Sequence, residues 1–303
     1  MAMAGQGLLA QLSDELAAAV ETAGRSIVRV NGRRRQAASG LVWAADGLIV
    51  TADHVIEREE DLTVALPDGK EVKATIAGRD PGTDLAVLKA EASGLQPIGQ
   101  ADGVKVGSLV VAVARPGENV SATLGVVSAV GGQVRTMRGG QLDGFIRTDA
   151  VLYPGYSGGA LIDTAGQAIG LSTSHFGQGA GFAIRIGTVQ RVAEALRTGG
   201  RVRRGYLGVS SQPVALPAAI RQQLGLAQES GLLLVGVEPG GPAEQGGLLI
   251  GDLLIALAGD PIRDTDDLQR ALGSDRVGQA LAARVVRGGQ AADLSLTVGE
   301  RPQ

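Results

Sequence analysis

The sequence contains no cysteine, and this absence removes several kinds of chemistry at once. Disulfides, a thiolate nucleophile and a thiolate metal site are all excluded. The only histidines are His54 and His175, and neither lies in a His-Glu-x-x-His pair that would indicate zinc. The Gly-x-x-x-x-Gly-Lys loop that cradles nucleotide phosphates is also missing. We therefore expect no metal and no cofactor, and acid–base or nucleophilic chemistry that uses one histidine.

Long apolar runs and aromatic residues are scarce as well. No run approaches the roughly 20 apolar residues of a membrane span. Near the N-terminus, Asp14 and Glu15 interrupt the apolar residues before a signal peptide could form, so the protein is either cytoplasmic or begins here after a processed leader. With one Trp, three Tyr and three Phe, the core must consist of Val, Leu, Ile and Ala. A net charge of −3 gives no reason to expect a nucleic-acid partner.

Glycine, in contrast, is abundant, with 47 residues that lie in turn-like pairs. Between Ser26 and Ile186 these glycines separate about a dozen short β-branched runs, a pattern typical of closed barrels or sandwiches. Before this region, residues 6–23 are predicted as a helix with Leu9, Leu12 and Leu16 on one face. That face either packs over the following domain or contacts another subunit.

The last third of the chain has a different, mixed pattern. A helix is predicted over Val189–Arg197, and the arginine-rich residues that follow it form a linker. Beyond the linker, four strands are predicted, the last two joined as a hairpin across Gly288-Gly289. A helix over Thr265–Leu272 has Asp264 as its predicted N-terminal cap.

Three residues could carry the chemistry, although none is convincing alone. Ser157 lies in a Gly-Tyr-Ser-Gly-Gly turn, where glycines allow a carbonyl substrate to approach backbone N–H groups closely. A plain turn would explain the same letters. His54 follows a strand and is by itself more typical of a structural histidine, and Asp84 precedes a strand, where a turn-forming aspartate is common.

Taken together, the three residues occur in the order His, Asp, Ser, which is one of the orders used by Ser-His-Asp hydrolases. Residues 38–55, 80–89 and 148–161 each resemble a motif of the trypsin-like Deg/HtrA proteases, and the resemblance covers nearly all of 25–300. It implies a mainly β chain: an N-terminal helical segment (1–24), a chymotrypsin-like double β-barrel (25–197), a linker (198–204) and an α+β PDZ domain (205–303).

The resemblance also implies roles for individual residues. Ser157 would attack the scissile carbonyl, His54 would take its proton, and Asp84 would orient the histidine. The backbone N–H groups of Gly155 and Ser157 would form the oxyanion hole. The specificity pocket is predicted at four uncharged residues, which favour cleavage after Val, Ala, Leu or Ile. These residues are Val151, Leu171, Ser172 and Thr173.

In the second domain, the resemblance implies that Tyr206, Leu207, Gly208 and Val209 form a PDZ loop for peptide C-termini. The protein would then be an ATP-independent endopeptidase of protein quality control that acts on unfolded or damaged proteins. It would be periplasmic or in the cell envelope, with a homotrimer as a family expectation.

Two alternatives stay open at this point: a chaperone or binding module with little turnover, and an esterase with the same triad. The first gains support from Tyr156, which stands where bacterial relatives usually carry Asn. Tyr156 and three neighbouring rings either pack in the core or occlude the cleft; the three are Tyr153, Phe176 and Phe182. His175 is interpreted as a surface residue.

Overall fold

The computed structural model describes residues 7–34, 36–136, 140–176, 181–203, 205–273 and 276–301. Residues 1–6 of the predicted N-terminal segment, Arg204 of the predicted linker and 302–303 of the predicted second domain lie outside the described residues. The chain divides into two compact units between Val202 and Arg203. Of the helices described, none is both long enough and apolar enough to cross a membrane.

The first unit begins with a closed barrel of six antiparallel strands, in the order β1-β2-β3-β6-β5-β4. Its core is aliphatic, as the scarcity of aromatic residues requires, and β3 is buried along its whole length. The strands are β1 (Ile27–Asn31), β2 (Ala38–Ala44), β3 (Leu48–Ala52), β4 (Thr63–Ala65), β5 (Glu71–Asp80) and β6 (Leu85–Ala90).

A second closed barrel follows, in the order β11-β14-β13-β12-β7-β8, so the predicted double β-barrel is confirmed. A separate two-stranded pair is formed by β9 (Val134–Arg135) and β10 (Gln141–Leu142). The barrel strands are β7 (Leu109–Ala114), β8 (Ser121–Gly131), β11 (Phe145–Thr148), β12 (Ala160–Ile162), β13 (Ala168–Ser172) and β14 (Gly181–Arg185).

Two helices cover the barrels. Helix α1 (Leu8–Gly24) buries Ala19 and Ala23 near its C-terminal end, whereas Leu9 and Leu12 at its start are exposed. The predicted apolar face is therefore covered only in part. Helix α2 (Ile186–Gly199) is two to three residues longer at each end than predicted, and it buries an apolar stripe against the strands. The stripe consists of Ile186, Val189, Val192, Ala193 and Leu196.

The second unit contains a sheet in the order β16-β17-β18-β20-β21, with β19 paired to β18, and a separate β15–β22 pair. Gly288 and Gly289 both have positive φ and close the β20–β21 hairpin. The Asp264 side chain caps α5, as predicted, by accepting a hydrogen bond from Asp267 N. The strands are β15 (Gly205–Tyr206), β16 (Val209–Ala215), β17 (Ser230–Val237), β18 (Leu253–Leu257), β19 (Asp260–Pro261), β20 (Ala280–Arg287), β21 (Gln290–Thr297) and β22 (Gly299–Glu300); the helices are α3 (Ala218–Leu224), α4 (Pro242–Gln245) and α5 (Thr265–Ala271).

Candidate active site

Strand pairing brings His54 and Asp84 together. In the β3–β6 ladder Ala52 pairs with Leu85, so the residues just after β3 lie beside the residue just before β6. The chain then leaves β3 in a single 3₁₀ turn, Asp53–Val55, whose first N–H donates to the carbonyl of Asp84. A largely buried and mainly apolar pair of strands therefore determines where the imidazole and the carboxylate meet.

The two side chains form a closely paired unit. His54 Nδ1 lies 2.9 Å from Asp84 Oδ1 and 2.8 Å from Oδ2, and the backbone N–H of His54 also donates to Oδ1. Asp84 is 2% exposed and has φ +58°, a left-handed conformation that aspartate tolerates better than most residues. The hydroxyl of Thr173 donates to Oδ2 at 2.5 Å. Both carboxylate oxygens thus accept hydrogen bonds, and those from His54 orient its ring.

Arg79 on β5 fixes the turn that carries His54. Its Nε donates to the carboxylate of Asp53 at 2.6 Å, and its Nη2 donates to the carbonyls of Asp53 and Ile56. The hydrogen bond to Asp53 raises the pKa of the Arg79 guanidinium, while burial acts in the opposite direction. The turn is therefore held from both ends by one cation.

Ser157 follows a turn whose shape its sequence dictates. Tyr156 N donates to Tyr153 O at 3.0 Å, so residues 153–156 form a β-turn with Pro154 and Gly155 at its centre. Proline fixes a negative φ at the first central position, and Gly155 has φ +89° at the second, which together define a type II turn. A Cβ at Gly155 would lie 2.5 Å from Pro116, so the position needs glycine on both grounds.

Gly158, directly after the serine, is under an even tighter constraint. It has φ +86°, and a Cβ there would lie 2.0 Å from the carbonyl oxygen of Ser39. Within the described residues, the backbone N–H groups of Gly155 and Ser157 donate no hydrogen bond. Two unpaired donors beside the serine hydroxyl are what stabilisation of an oxyanion requires.

The hydroxyl of Ser157 is connected to His54 through Ser174, which contacts both. Ser157 Oγ is 3.1 Å from Ser174 Oγ, which is 3.4 Å from His54 Nε2. Ser174 N also donates to Ser157 Oγ at 3.2 Å. No direct hydrogen bond joins Ser157 and His54 in the part of the chain that the structure describes. Sequence reasoning placed the three triad residues near one another but gave no sign of Ser174.

His175 is exposed, as interpreted from the sequence, but it also belongs to this site. Its ring stacks on His54, with centroids 5.7 Å apart and planes 23° apart. The side chains of His54, Asp84 and His175 offer ligand atoms within 4.8 Å of one another, as a cation site would. The hydrogen bonds between His54 and Asp84 already occupy Nδ1 and both carboxylate oxygens.

The four residues predicted to line the specificity pocket differ in their surroundings. Val151 is 54% exposed, while the other three are buried. Leu171 packs in the hydrophobic core, and the Thr173 hydroxyl is directed to Asp84. The buried hydroxyl of Ser172 has no hydrogen-bond partner among the described residues.

The aromatic neighbours mostly pack in the core. Tyr156 is 1% exposed inside the second barrel, and its hydroxyl lies 2.7 Å from Ser121 Oγ. Phe182 is also buried; it stacks on Phe145 and contacts Phe176 edge to face. Tyr156 therefore anchors the nucleophile turn in the core of the second barrel and does not occlude the cleft.

The predicted PDZ loop in the second unit has free donors at its apex. Gly208 has φ +77°, and the backbone N–H groups of Leu207 and Gly208 donate no hydrogen bond within the described residues. Tyr206, Gly208 and Val209 border a cavity of about 220 Å³. Across this cavity Tyr206 donates a hydrogen bond to Glu238, which raises the pKa of the phenol.

Comparison with known proteins agrees with this architecture. The model of a trypsin-like peptidase domain matches residues 38–171, and that of a PDZ domain matches 205–298. Two curated relatives are named probable periplasmic serine endoprotease DegP-like. The one from Ectopseudomonas mendocina is 36% identical over 90% of this chain and 59% of its own length, and the one from Halomonas elongata is 36% identical over 89% and 57%. The chain thus spans less than two thirds of the length of these relatives.

Solved structures match over nearly their full length. The HtrA-type protease AlgW with a decapeptide is 31% identical, with a TM-score of 0.80 over 95% of this chain and 99% of that chain. The serine endoprotease from Yersinia pestis is 30% identical, with a TM-score of 0.79 over 95% and 98%. The chain, with its double barrel, its PDZ domain and its His-Asp-Ser order, belongs to the Deg/HtrA family of trypsin-like serine proteases.

Proposed function

We propose that this chain is an ATP-independent serine endopeptidase that cleaves unfolded or damaged proteins through an acyl-enzyme. The observation that carries the proposal is the pairing of His54 with Asp84 beside a serine turn that has two unpaired backbone N–H groups. This arrangement provides a base, an orienting carboxylate, a nucleophile and an oxyanion site.

In the proposed reaction, Ser157 Oγ attacks the scissile carbonyl and its proton passes to His54 Nε2. The N–H groups of Gly155 and Ser157 stabilise the negative oxygen of the tetrahedral intermediate. His54 then returns the proton to the leaving amine, and water hydrolyses the ester by the same steps. Asp84, held by Thr173, keeps Nδ1 protonated so that Nε2 is the free base.

A base must lie within about 2.6–3.2 Å of the proton that it removes. Ser174 Oγ contacts both Ser157 Oγ and His54 Nε2, and it gives up these contacts in the proposed reaction when the direct hydrogen bond forms. This resting arrangement is the one observation that favours the second candidate function, a chaperone or binding module with little turnover.

For specificity, we propose cleavage after Val, Ala, Leu or Ile. Val151 is uncharged and accessible beside the nucleophile turn, and Leu171, Ser172 and Thr173 carry no charge. A matched series of peptide substrates that differ only at the residue before the cleaved bond tests this preference. Faster cleavage after Arg than after Val would refute it.

The PDZ loop at Tyr206–Val209 is proposed to bind peptide C-termini through the free N–H groups at its apex. The curated relatives are named as periplasmic endoproteases, which supports a periplasmic or envelope location for this chain. The exposed Leu9 and Leu12 of α1 support a homotrimer contact. Sedimentation of the full chain and of a Leu9→Ser, Leu12→Ser variant distinguishes a trimer from a monomer.

Casein digestion tests the enzymatic proposal against the chaperone alternative. The wild type should digest casein, and Ser157→Ala should lower turnover by on the order of a million-fold, as loss of a triad serine does. Equal, slow digestion by both proteins would refute the endopeptidase. An ester substrate hydrolysed without any peptide cleavage would instead indicate an esterase.

A further inference from the structure

Ser39 on β2 of the first barrel contacts both residues of the proposed oxyanion hole. It is fully buried and lies 116 residues before Gly155 in sequence. Its side chain is hydrogen-bonded to the carbonyl of Gly155, and its backbone N–H is hydrogen-bonded to the carbonyl of Ser157. No role for this serine follows from the nucleophile motif itself, because the contact crosses from one barrel to the other.

The hydroxyl of Ser39 is held on two sides. It donates to the carbonyl of Gly155 at 2.8 Å and accepts from the backbone N–H of Arg115 at 2.9 Å. Both bonds are buried, so neither partner has water as a substitute. The hydroxyl therefore has one orientation, in which its proton is directed to the carbonyl oxygen of Gly155.

The backbone of Ser39 fixes the other side of the nucleophile. Its N–H donates to the carbonyl of Ser157 at 3.1 Å, and its own carbonyl accepts from Thr51 Oγ1 at 2.7 Å. That carbonyl also packs against Gly158 so closely that a Cβ there would lie 2.0 Å away. The peptide groups before and after Tyr156-Ser157 thus rest on a single residue.

We propose that Ser39 is a positioning residue for the oxyanion hole, whose hydroxyl keeps the turn at Gly155 in the orientation that leaves the Gly155 N–H free. This inference rests on the proposed function, since it assigns a role in the same reaction.

The reason lies in the peptide group between Gly155 and Tyr156. Its oxygen is bonded to Ser39, and its N–H is bonded to Tyr153 O, so both of its polar atoms are anchored. The preceding peptide, which carries the Gly155 N–H, is anchored only through its neighbours. Without the Ser39 hydroxyl, the buried Gly155 carbonyl has no partner and the Gly155–Tyr156 peptide is held at its N–H alone. The Pro154–Gly155 peptide is then freer to rotate toward type I, which has a negative φ at Gly155. That rotation turns the Gly155 N–H away from the oxyanion.

Ser39→Ala tests the proposal, with Thr188→Val as the matched control. Thr188 is also fully buried, and its hydroxyl also accepts from a backbone N–H, that of Asp143, but none of its partners belongs to the nucleophile turn. Both variants lose one buried hydroxyl, so both should lose stability. Only Ser39→Ala should lower kcat, by about 10- to 100-fold with KM within about twofold, which is less than the roughly 10²- to 10³-fold cost of deleting an oxyanion donor.

A second readout separates positioning from general damage. The affinity for a peptide boronate, which forms a tetrahedral adduct on Ser157, should fall in Ser39→Ala by the same factor as kcat/KM. Ser39→Cys, which keeps a weak donor, should give an intermediate rate, and it replaces Ser39→Ala if the latter does not fold. Unchanged kcat in Ser39→Ala or Ser39→Cys, or an equal loss in Thr188→Val, would overturn the proposal.

The wild type and Ser157→Ala are measured in parallel, so that the two proposals can fail separately. If the wild type hydrolyses peptide and Ser157→Ala does not, the proposed function stands and the Ser39 variants alone decide the inference. If the wild type neither hydrolyses peptide nor binds the boronate, both proposals fall.

Discussion

Ser174 offers the sharpest test of how this active site rests, because its hydroxyl contacts both groups that the proposed Ser157–His54 hydrogen bond must join. In the structure Ser157 Oγ lies 3.1 Å from Ser174 Oγ, and Ser174 Oγ lies 3.4 Å from His54 Nε2. A neutral hydrogen bond of this kind contributes about 1 kcal/mol net. Since about 1.4 kcal/mol corresponds to a factor of ten in rate, breaking it before each turnover costs about fivefold.

Ser174→Ala should therefore raise kcat/KM on a valyl peptide substrate by about three- to tenfold. Ser174→Thr, which keeps the hydroxyl, should stay near the wild-type rate. The assay is initial-rate hydrolysis of a chromogenic peptide at fixed pH with active-site titration, so that the folded fraction does not enter. A Ser174→Ala enzyme slower than wild type would refute the reasoning, because Ser174 would then assist proton transfer from Ser157 to His54.

Three further outcomes follow from single contacts. Thr173→Val removes the donor to Asp84 Oδ2 and should lower kcat by about tenfold, whereas Thr173→Ser should restore most of it; rates that do not differ between the two would contradict this role. Gly158→Ala places a Cβ 2.0 Å from a carbonyl oxygen at φ +86° and should leave no measurable hydrolysis; a variant with wild-type kcat would mean that the turn rearranges freely. In the second unit, Asp252→Asn should cost about 2 kcal/mol, read by urea titration with hydrogen-exchange mass spectrometry, because the buried carboxylate accepts from Arg287 and from Leu249 N. Burial raises the pKa of Asp252, but these hydrogen bonds outweigh burial and lower the pKa overall. The stability that they contribute is therefore present above the ordinary aspartate pKa and is lost as the pH falls through the pKa of the folded state. A second unit equally stable at pH 2 and pH 6 would contradict this.

The barrels were predictable because their strands are defined by short, local residue patterns. Short β-branched runs between glycines define the strands: about a dozen are expected between Ser26 and Ile186, and the two barrels consist of six strands each. Helix α3 (Ala218–Leu224) was not predicted, because seven residues with no fully buried side chain show too little periodicity. The 3₁₀ turn at His54 was also missed, since three residues carry no periodic signal.

The site itself was predicted only in part, and the reason is that most of its contacts join distant segments. His54 and Asp84 meet through the register of β3 and β6, which strand patterns suggest but do not fix. Ser174 contacts Ser157 from 17 residues further along the chain, and Ser39 contacts it from the first barrel. Serine is too common a residue for the sequence to indicate such contacts. Tyr156 shows the converse: the sequence left core packing and cleft occlusion open, and its 1% exposure decides for the core.

The central claim is that Ser157 is a nucleophile activated by His54, and the most direct measurement is the site of covalent modification by a fluorophosphonate. Peptide mass mapping of the full chain should find one adduct, on Ser157, and His54→Ala should slow its formation by at least about a hundredfold. Folded Thr188→Val, whose hydroxyl partner Asp143 lies outside the nucleophile turn, should be modified at a rate close to wild type. Modification that is absent from Ser157, or that proceeds equally fast without the histidine, would contradict the account.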